Sequence, residues 1–220
     1  MQDSGKNNKI EILGSSKVNG EIKGNNNIVK IGESLKLDLS LNISGSNNRV
    51  IIGRKFVAKR LTITVGNHNP ANNVTVEIGE DCSTEADCRF YVYNSGNTLK
   101  IGNECMFSNS IVLRTGESPH LIFDDITGDY LDTSGHVEIG DHCWIGEGAY
   151  ITKRATLPRD TIVAARSVVT HRFSEEMTMI AGNPASVKRR NIRWIRNRNK
   201  LVEGSRFKAS YDDFIKKHEV

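Results

Sequence analysis

The sequence has few of the side chains that fill an ordinary globular core. Only 37% of its 220 residues are hydrophobic and 6% are aromatic, whereas it contains 19 glycines and 21 asparagines. Few bulky residues and many turn-forming residues argue against a helical bundle. Charged residues make up 25% of the chain and the formal net charge is only +4. This balance excludes both a disordered acidic chain and a uniformly basic nucleic-acid binder.

Long apolar runs and paired cysteines are also missing. No segment approaches the ~18 uninterrupted apolar residues of a membrane-spanning helix. The chain begins with MQDSGKNNK, which is too polar for a signal peptide. We therefore expect a soluble, cytoplasmic protein without membrane insertion. The four cysteines, at positions 82, 88, 105 and 143, form no CxxC pair, so neither a zinc ribbon nor a thioredoxin-type redox site is predicted.

A degenerate repeat runs through the chain. Its clearest copies are GKNNKIEIL from residue 5, GNNNIVKIG from residue 24 and GSNNRVIIG from residue 45. Gly and Asn tolerate positive φ, and apolar residues two apart face the same side of a strand, so each copy predicts a turn followed by a short strand. The spacings between the aliphatic residues that close successive copies are 19, 21, 26, 23 and 38, and these anchors are Ile12, Ile31, Ile52, Ile78, Ile101 and Ile139.

From residue 137 the repeat tightens to six residues. Aliphatic anchors recur without a break at Ile139, Ile145, Ile151, Leu157, Val163 and Val169. The position two residues before each anchor is mostly small. Alternation of one aliphatic and one small inward residue every six predicts a narrow triangular prism, with one hexad per side and roughly 18 residues per coil. The longer spacings then represent one coil plus an insertion, and the spacing of 38 leaves room for a long loop.

The cysteines fit this prism. Cys82, Cys105 and Cys143 each lie four residues after an anchor. They should therefore stack as an interior column, where free cysteine behaves as a small buried hydrophobe.

The predicted organisation is an all-β solenoid over residues 1–172 with a protruding loop at 114–136, followed by a closing segment and a C-terminal helix over 173–220. The helix is predicted from Ser210, a candidate N-cap, and from the apolar residues Phe214 and Ile215 one turn after it.

The sequence resembles a known family in three places: HVEIGDHCWIG from residue 136, the hexads through residue 170, and AGNPA from residue 181 followed by IRW from residue 192. These motifs resemble the hexapeptide-repeat acyltransferases of left-handed parallel β-helix fold. Within them, the closest match is to the O-acetyltransferases of bacterial surface polysaccharides, including the sialic acid capsule O-acetyltransferases. The resemblance implies a homotrimer with acetyl-CoA in a groove between neighbouring prisms. The hexads alone would also fit an ice-binding or scaffolding solenoid.

The resemblance assigns the reaction centre. In the family, the loop carries Asp-x-His followed by an apolar pair, and the His is the general base. His120 is the matching residue, with Ser118 in place of the Asp. Trp144 corresponds to a Trp that lines the acceptor and thioester region, which implies a catalytic and substrate-binding role, with simple subunit packing as the alternative. Asn109 matches a polar position near the acceptor, and Arg114, at the start of the loop, is a further substrate-binding candidate.

The resemblance also assigns the CoA contacts. Basic residues after AGNPA reach the CoA phosphates in the family, which places Lys188 and Arg189 there. Where the family usually has a Lys after Val-Val-Thr, this chain has His171, so Arg172 is the candidate substitute. The further candidates along the groove are Lys153 and Arg166, together with backbone contacts from Ala149 and Ala165.

Positive charge is concentrated at one end. Residues 151–220 hold 16 Lys and Arg against 7 Asp and Glu, whereas residues 1–150 hold 14 against 19. The segment 188–200 contains seven basic residues and no acid. It can be a solvated surface or one that faces a polyanion such as an acidic glycan. Nucleic-acid binding is not predicted, because the segment lacks the aromatic or groove-reading partners.

No metal is predicted. His136 and His142 are six residues apart, so a triangular coil turns them towards different directions.

We expect an acetyl-CoA-dependent O-acetyltransferase that acts on a sugar hydroxyl of a surface polysaccharide or its precursor, by direct transfer with His120 as base. The alternatives are N-acetylation of a free or nucleotide-linked amino sugar and a catalytically silent solenoid scaffold.

Overall fold

A computed structural model describes residues 1–34, 36–132 and 135–218. Two residues of the predicted loop, 133 and 134, lie outside the described residues, as do residues 219 and 220 of the predicted closing segment. The regular elements of the described chain are short strands joined by turns, apart from a 3₁₀ turn at Arg198–Lys200 and one α-helix. The elements are β1 (Gln2–Asp3), β2 (Lys9–Gly14), β3 (Lys17–Asn19), β4 (Glu21–Lys23), β5 (Ile28–Ser34), β6 (Leu37–Ser44), β7 (Arg49–Ile52), β8 (Val57–Val65), β9 (Thr75–Ile78), β10 (Ser83–Thr84), β11 (Arg89–Val92), β12 (Thr98–Ile101), β13 (Met106–Phe107), β14 (Val112–Arg114), β15 (Val137–Ile139), β16 (Trp144–Ile145), β17 (Tyr150–Ile151), β18 (Thr156–Leu157), β19 (Ile162–Val163), β20 (Val168–Val169), β21 (Met179–Gly182), β22 (Ala185–Arg189) and α1 (Arg206–His218).

The strands form a parallel β-solenoid of about eight turns with three faces, which confirms the predicted fold class. The first face contains β2, β5, β7, β9, β12, β15 and β18. The second face contains the start of β8 with β10, β13, β16, β19 and β21, and the third face contains the end of β8 with β11, β14, β17 and β20. The chain closes with the antiparallel pair of β21 and β22.

The aliphatic anchors of the repeat stack directly on one another along the first face. Ile12 pairs with Ile31, Ile31 with Ile52, and the series continues in register through Ile78, Ile101, Ile139 and Leu157. The hexads behave in the same way on the other faces, where Ile145 pairs with Val163 and Ile151 with Val169. The predicted stacking of these anchors is therefore confirmed.

The cysteines fill the interior as predicted. All four are fully buried and free. The Cys82, Cys105 and Cys143 thiols each donate to a carbonyl oxygen of the following coil at 3.1 Å, namely those of Gly102, Gly140 and Pro158. Burial raises the pKa of the Cys88 thiol to about 11. These thiols are packing groups and hydrogen-bond donors, not nucleophiles.

A column of asparagines lies at the corner where the chain passes from the third face to the first, here called the loop corner. The Asn27 Oδ1 accepts the Asn48 N–H at 3.0 Å, and the Asn48 Oδ1 accepts the Val74 N–H at 2.8 Å. The Asn48 Nδ2 also donates to the Ala71 carbonyl at 2.9 Å. Gly45 opens this corner with a φ of 130°, where a Cβ would lie 2.0 Å from the Ala71 carbonyl oxygen. The high content of Asn and Gly thus serves both turns and interior hydrogen bonding.

The C-terminal helix begins earlier than the sequence predicts. It starts at Arg206, and the Ser205 Oγ accepts the Lys208 N–H at 3.2 Å. Ser205 is therefore the N-cap, and the prediction of Ser210 as the cap is wrong because Ser210 lies inside the helix. No side chain of α1 is buried. Within the described part of the chain, the helices are too short and too polar to cross a membrane.

We predict that Asn48→Leu destabilises the protein more than a matched exposed substitution. The variant leaves the Val74 N–H and the Ala71 carbonyl buried without a partner, which costs roughly 1–3 kcal/mol for each group. Urea unfolding followed by circular dichroism measures the change in the free energy of unfolding. The control is Asn42→Thr on the half-exposed outer side of β6. Equal stability of the two variants would contradict a structural role for the asparagine column.

Candidate active site

The long insertion leaves the prism at the loop corner. It begins after β14 on the third face and returns to β15 on the first face. Its first residues are tied to earlier coils, because the Asn67 Nδ2 donates to the Ser118 carbonyl at 2.7 Å and the Ser118 Oγ donates to the Asn67 Oδ1 at 3.1 Å. The start of the loop is thus held against the prism.

The end of the loop is held by a buried carboxylate. Asp132 is 1% exposed, and its Oδ1 lies 2.5 Å from the Lys153 ammonium of the next coil. Its Oδ2 accepts the Glu117 N–H at 2.8 Å and an Asn94 amide hydrogen at 3.3 Å. Burial opposes ionisation of Asp132, but these donors and the Lys153 charge outweigh it and hold the pKa of the carboxyl below its usual range.

Two further ion pairs extend this cluster. The Glu117 carboxylate lies 3.7 Å from the Lys153 ammonium and 3.3 Å from the Arg114 Nε. Arg114 also donates to the Gly116 carbonyl at 2.8 Å, and its guanidinium lies 5.3 Å from the centre of the Tyr93 ring. Two residues predicted to bind ligands, Arg114 and Lys153, therefore have carboxylate partners at the base of the loop.

His120 is exposed on this loop. Its backbone N–H donates to the Glu117 carbonyl at 3.1 Å, and its imidazole has no hydrogen-bond or ion-pair partner among the described residues. The loop beyond it is apolar and exposed, with Ile126 at 96%. The exposed apolar side chains here are Leu121, Ile122, Phe123, Ile126 and Leu131. The imidazole is therefore accessible from outside the chain.

Trp144 lies on the outer side of the second face, where it pairs with Met106 and Ile162 of the adjacent coils. Its indole N–H donates to the Ser108 Oγ at 3.3 Å. Asn109 follows on the same side of the prism, exposed, with its Oδ1 accepting the Ala86 N–H at 3.1 Å. The polar side chains of Ser108 and Asn109 therefore lie near the half-exposed indole of Trp144.

The C-terminal segment docks next to Trp144 through a second indole. Trp194 is 6% exposed, lies 6.1 Å from the Trp144 ring and donates its indole N–H to the His142 carbonyl at 2.8 Å. Its ring stacks on the His142 imidazole at 4.3 Å, and the His142 Nδ1 is 2.7 Å from the Asp160 carboxylate. Sequence reasoning missed this stack, since its partners are distant along the chain and follow no repeat.

A groove of about 550 Å³ lies between this segment and the prism. Cations and aromatic rings line it, together with two carboxylates of the coils. The lining includes Asp81, Glu104, Arg193, Trp194, Lys200 and Phe207. Arg196 anchors the segment by donating to the backbone carbonyls of Asp81 and Glu104 at 2.9 and 3.0 Å.

The residues predicted to contact CoA are spread over the C-terminal half of the prism. Ala149, Ala165 and Arg166 share the corner between the second and third faces, and the Ala149 carbonyl already accepts the Val112 N–H at 3.1 Å. Arg172 bridges to Thr156 at the end of the first face. Lys188 and Arg189 are exposed on β22.

His120 and Trp144 do not meet within one chain. The loop corner joins the third and first faces, so it lies opposite the second face of the triangular prism, which carries Trp144. The predicted base and the predicted acceptor wall are therefore on opposite sides of the same molecule. Among the described residues, no group of three or more His, Cys, Asp or Glu is arranged to hold a metal ion.

The chain is similar to known proteins in sequence and structure. It is 29% identical to the polysialic acid O-acetyltransferase of Neisseria meningitidis over a match covering 60% of this chain and 68% of that protein. It is 27% identical to the polysialic acid O-acetyltransferase of Escherichia coli O1:K1, over 56% of this chain and 39% of that protein, so the match spans well under half of that relative. No protein-family model matches the chain.

The structural similarity covers nearly the whole chain. The crystal structure of the polySia specific acetyltransferase NeuO superimposes with a TM-score of 0.79, covering 97% of both chains at 24% sequence identity. Together these findings confirm the resemblance to the hexapeptide-repeat acyltransferases and the prediction that the chain is an acyltransferase.

Proposed function

We propose that the protein is an acetyl-CoA-dependent O-acetyltransferase that acts on a sugar hydroxyl of an acidic surface polysaccharide, with a polymer of sialic acid as the leading acceptor. The observation that carries the proposal is that an acyltransferase prism presents His120 with a free imidazole, in the loop where the resembling enzymes place their base. The names of both curated relatives support the acceptor.

In the proposed reaction, the His120 imidazole takes the proton of the sugar hydroxyl while the hydroxyl oxygen attacks the thioester carbonyl carbon. The carbon–sulfur bond then breaks, and the imidazolium returns the proton to the departing CoA sulfur. A positioned base of this kind contributes about 10²–10⁴-fold to the rate. Direct transfer is supported by the burial of all four thiols, which leaves no cysteine to form an acyl-enzyme.

The site is proposed to form between chains of a homotrimer. Because the loop corner lies opposite the second face, His120 of one chain can approach Trp144 only of another chain. Asn109 and Trp144 would then contact the acceptor and the thioester. The apolar tip of the loop supports this arrangement, since a contact with a neighbouring chain would cover it.

We propose that residues 173–220 form a unit that binds anions together with the prism of residues 1–172. Lys188 and Arg189 are exposed and have no carboxylate partner among the described residues, and the same holds for Arg166 and Arg172. These four cations suit the CoA phosphates. Backbone groups of Ala149 and Ala165 complete the proposed groove.

Further along the same segment, the cations suit the acidic acceptor. Arg193, Arg198 and Lys200 are exposed and have no carboxylate partner among the described residues. Trp194 connects this surface to Trp144. An acidic polymer bound here would reach the proposed acceptor wall.

The first prediction from this proposal concerns the base. His120→Ala should lower kcat by roughly 10²–10⁴-fold while leaving the fold intact, because it removes the proton acceptor. Thiol release from acetyl-CoA is measured with an oligosialic acid, a neutral glycan and an amino sugar as acceptors. His68→Ala, an exposed histidine in another turn, is the control. Unchanged turnover in His120→Ala would refute the mechanism, transfer to the amine alone would make the enzyme an N-acetyltransferase, and absence of turnover with every acceptor would favour a silent scaffold.

The second prediction tests the shared site. His120→Ala and Trp144→Ala should each be nearly inactive alone, yet refolding them together should restore activity to about a quarter of wild type, since a site between chains needs one intact residue from each. Each variant refolded alone is the control. Failure of the mixture to regain activity, with trimers present by light scattering, would place both residues in the same chain's site or outside it.

The third prediction concerns the acceptor surface. Arg198→Gln/Lys200→Gln should raise KM for a long sialic acid polymer several-fold, with smaller effects on KM for a short oligomer and for acetyl-CoA. The loss should shrink as ionic strength rises, because the contacts are exposed charges. The matched control removes two cations from the opposite end, Lys6→Gln/Lys9→Gln. Equal effects of the two double variants would refute a dedicated surface.

A further inference from the structure

The loop that carries His120 is closed by one buried carboxylate. Asp132 stands near the end of the loop and accepts the N–H of Glu117, near its start, at 2.8 Å. Lys153, from the following coil, binds the same carboxylate at 2.5 Å. The carboxylate therefore ties both ends of the loop to each other and to the prism.

The hydrogen bonds made by Asp132 connect through Glu117 to the backbone of His120, the proposed base. The amide of Glu117 is held by Asp132, and the carbonyl of the same residue accepts the His120 N–H at 3.1 Å. The next carbonyl, that of Ser118, is held by Asn67 at 2.7 Å. Three hydrogen bonds thus fix the backbone that leads into His120, while its imidazole has no partner among the described residues.

We propose that Asp132 and Lys153 are positioning residues for His120, which set the place of the base through the Glu117 turn instead of through a carboxylate on the imidazole. Lys153 then stabilises the loop and does not bind CoA phosphate, and Arg114 supports the same cluster through Glu117. The reading of His120 as a base rests on the proposed function, whereas the anchoring of the loop does not.

The charges explain why the pair acts as a unit. A buried carboxylate is stable only with a cation or donors nearby, so removing Lys153 alone leaves Asp132 uncompensated. Asp132→Asn keeps the size of the side chain and can still accept the Glu117 N–H through its amide oxygen. The double variant Asp132→Asn/Lys153→Met removes both charges at once, so its effects should be smaller than the combined effects of the single changes.

The experiment compares Asp132→Asn, Lys153→Met and the double variant with wild type in two independent measurements. Hydrogen–deuterium exchange should be faster across residues 114–132 in both single variants and unchanged across the hexads of residues 137–169. In steady-state assays, kcat should fall by roughly 10–100-fold, the cost of a slightly misplaced catalytic group, while KM for acetyl-CoA stays within a factor of two. Asp125→Asn, an exposed loop carboxylate, is the control and should change neither measurement.

The outcomes separate the inference from the proposed function. A raised KM for acetyl-CoA in Lys153→Met with unchanged exchange in the loop would make Lys153 a cofactor ligand and overturn the inference. Faster exchange with unchanged kcat would also overturn it, because the loop would then be anchored without positioning the base. If wild type transfers no acetyl group, the proposed function fails, and the exchange data alone decide whether Asp132 and Lys153 hold the loop. The melting temperature of each variant is measured beside wild type, and an unchanged value in a variant excludes global unfolding as the cause of its effects.

Discussion

The hydrogen bonding of each coil to the next in one fixed parallel register is the constraint on which this structure depends. Because the strands of the prism pair with strands one coil away, a side chain there is surrounded by the residues of its column and much less by its neighbours in sequence. The anchors from Ile12 to Leu157 occupy one such column, and the thiols of Cys82, Cys105 and Cys143 occupy another. The faces must keep the register, so additional residues can enter only at corners. The long loop accordingly emerges at a corner, where it interrupts no ladder.

The same constraint separates the proposed catalytic groups. A corner insertion projects away from the prism, whereas Trp144 is fixed on the opposite face by its pairing with Met106 and Ile162. A rigid prism cannot bend to bring the two together. In the proposed homotrimer, assembly would place His120 of one chain against Trp144 of another and would leave room for acetyl-CoA between the chains.

The sequence predicts the contacts that the coil register determines. It misses the contacts between segments that the repeat does not relate. The spacings of the aliphatic anchors gave the correct partner for every coil, because only the inward positions of a narrow prism demand a fixed residue type. The repeat predicts Asn48 only as a turn residue, because asparagine is common both in turns and in buried hydrogen-bonded columns. The tie between Asp132 and Lys153 and the stack of Trp194 on His142 join segments from different parts of the chain and leave no periodic signal. The helix start was misplaced because Ser205 and Ser210 are equally good caps, and hydrogen bonding alone distinguishes them.

Cations in this protein fall into two groups with different consequences. Several cations on the coils are paired across the ladder, as Arg54 is with Glu80 and Arg60 with Asp87, and such exposed pairs contribute little to stability while neutralising the surface of the prism. Lys153 is paired more tightly with a buried partner. Several cations of the C-terminal segment, Lys188, Arg189, Arg198 and Lys200 among them, have no such partner in the described chain. Residues 151–220 carry an excess of positive charge. In residues 1–150, by contrast, acidic residues outnumber basic ones. Within a Debye length, this asymmetry attracts anions to the end of the molecule that carries Trp194 and Trp144. Both proposed substrates, CoA and an acidic glycan, are anions, so a single uneven charge distribution would bring donor and acceptor to the same end of the prism.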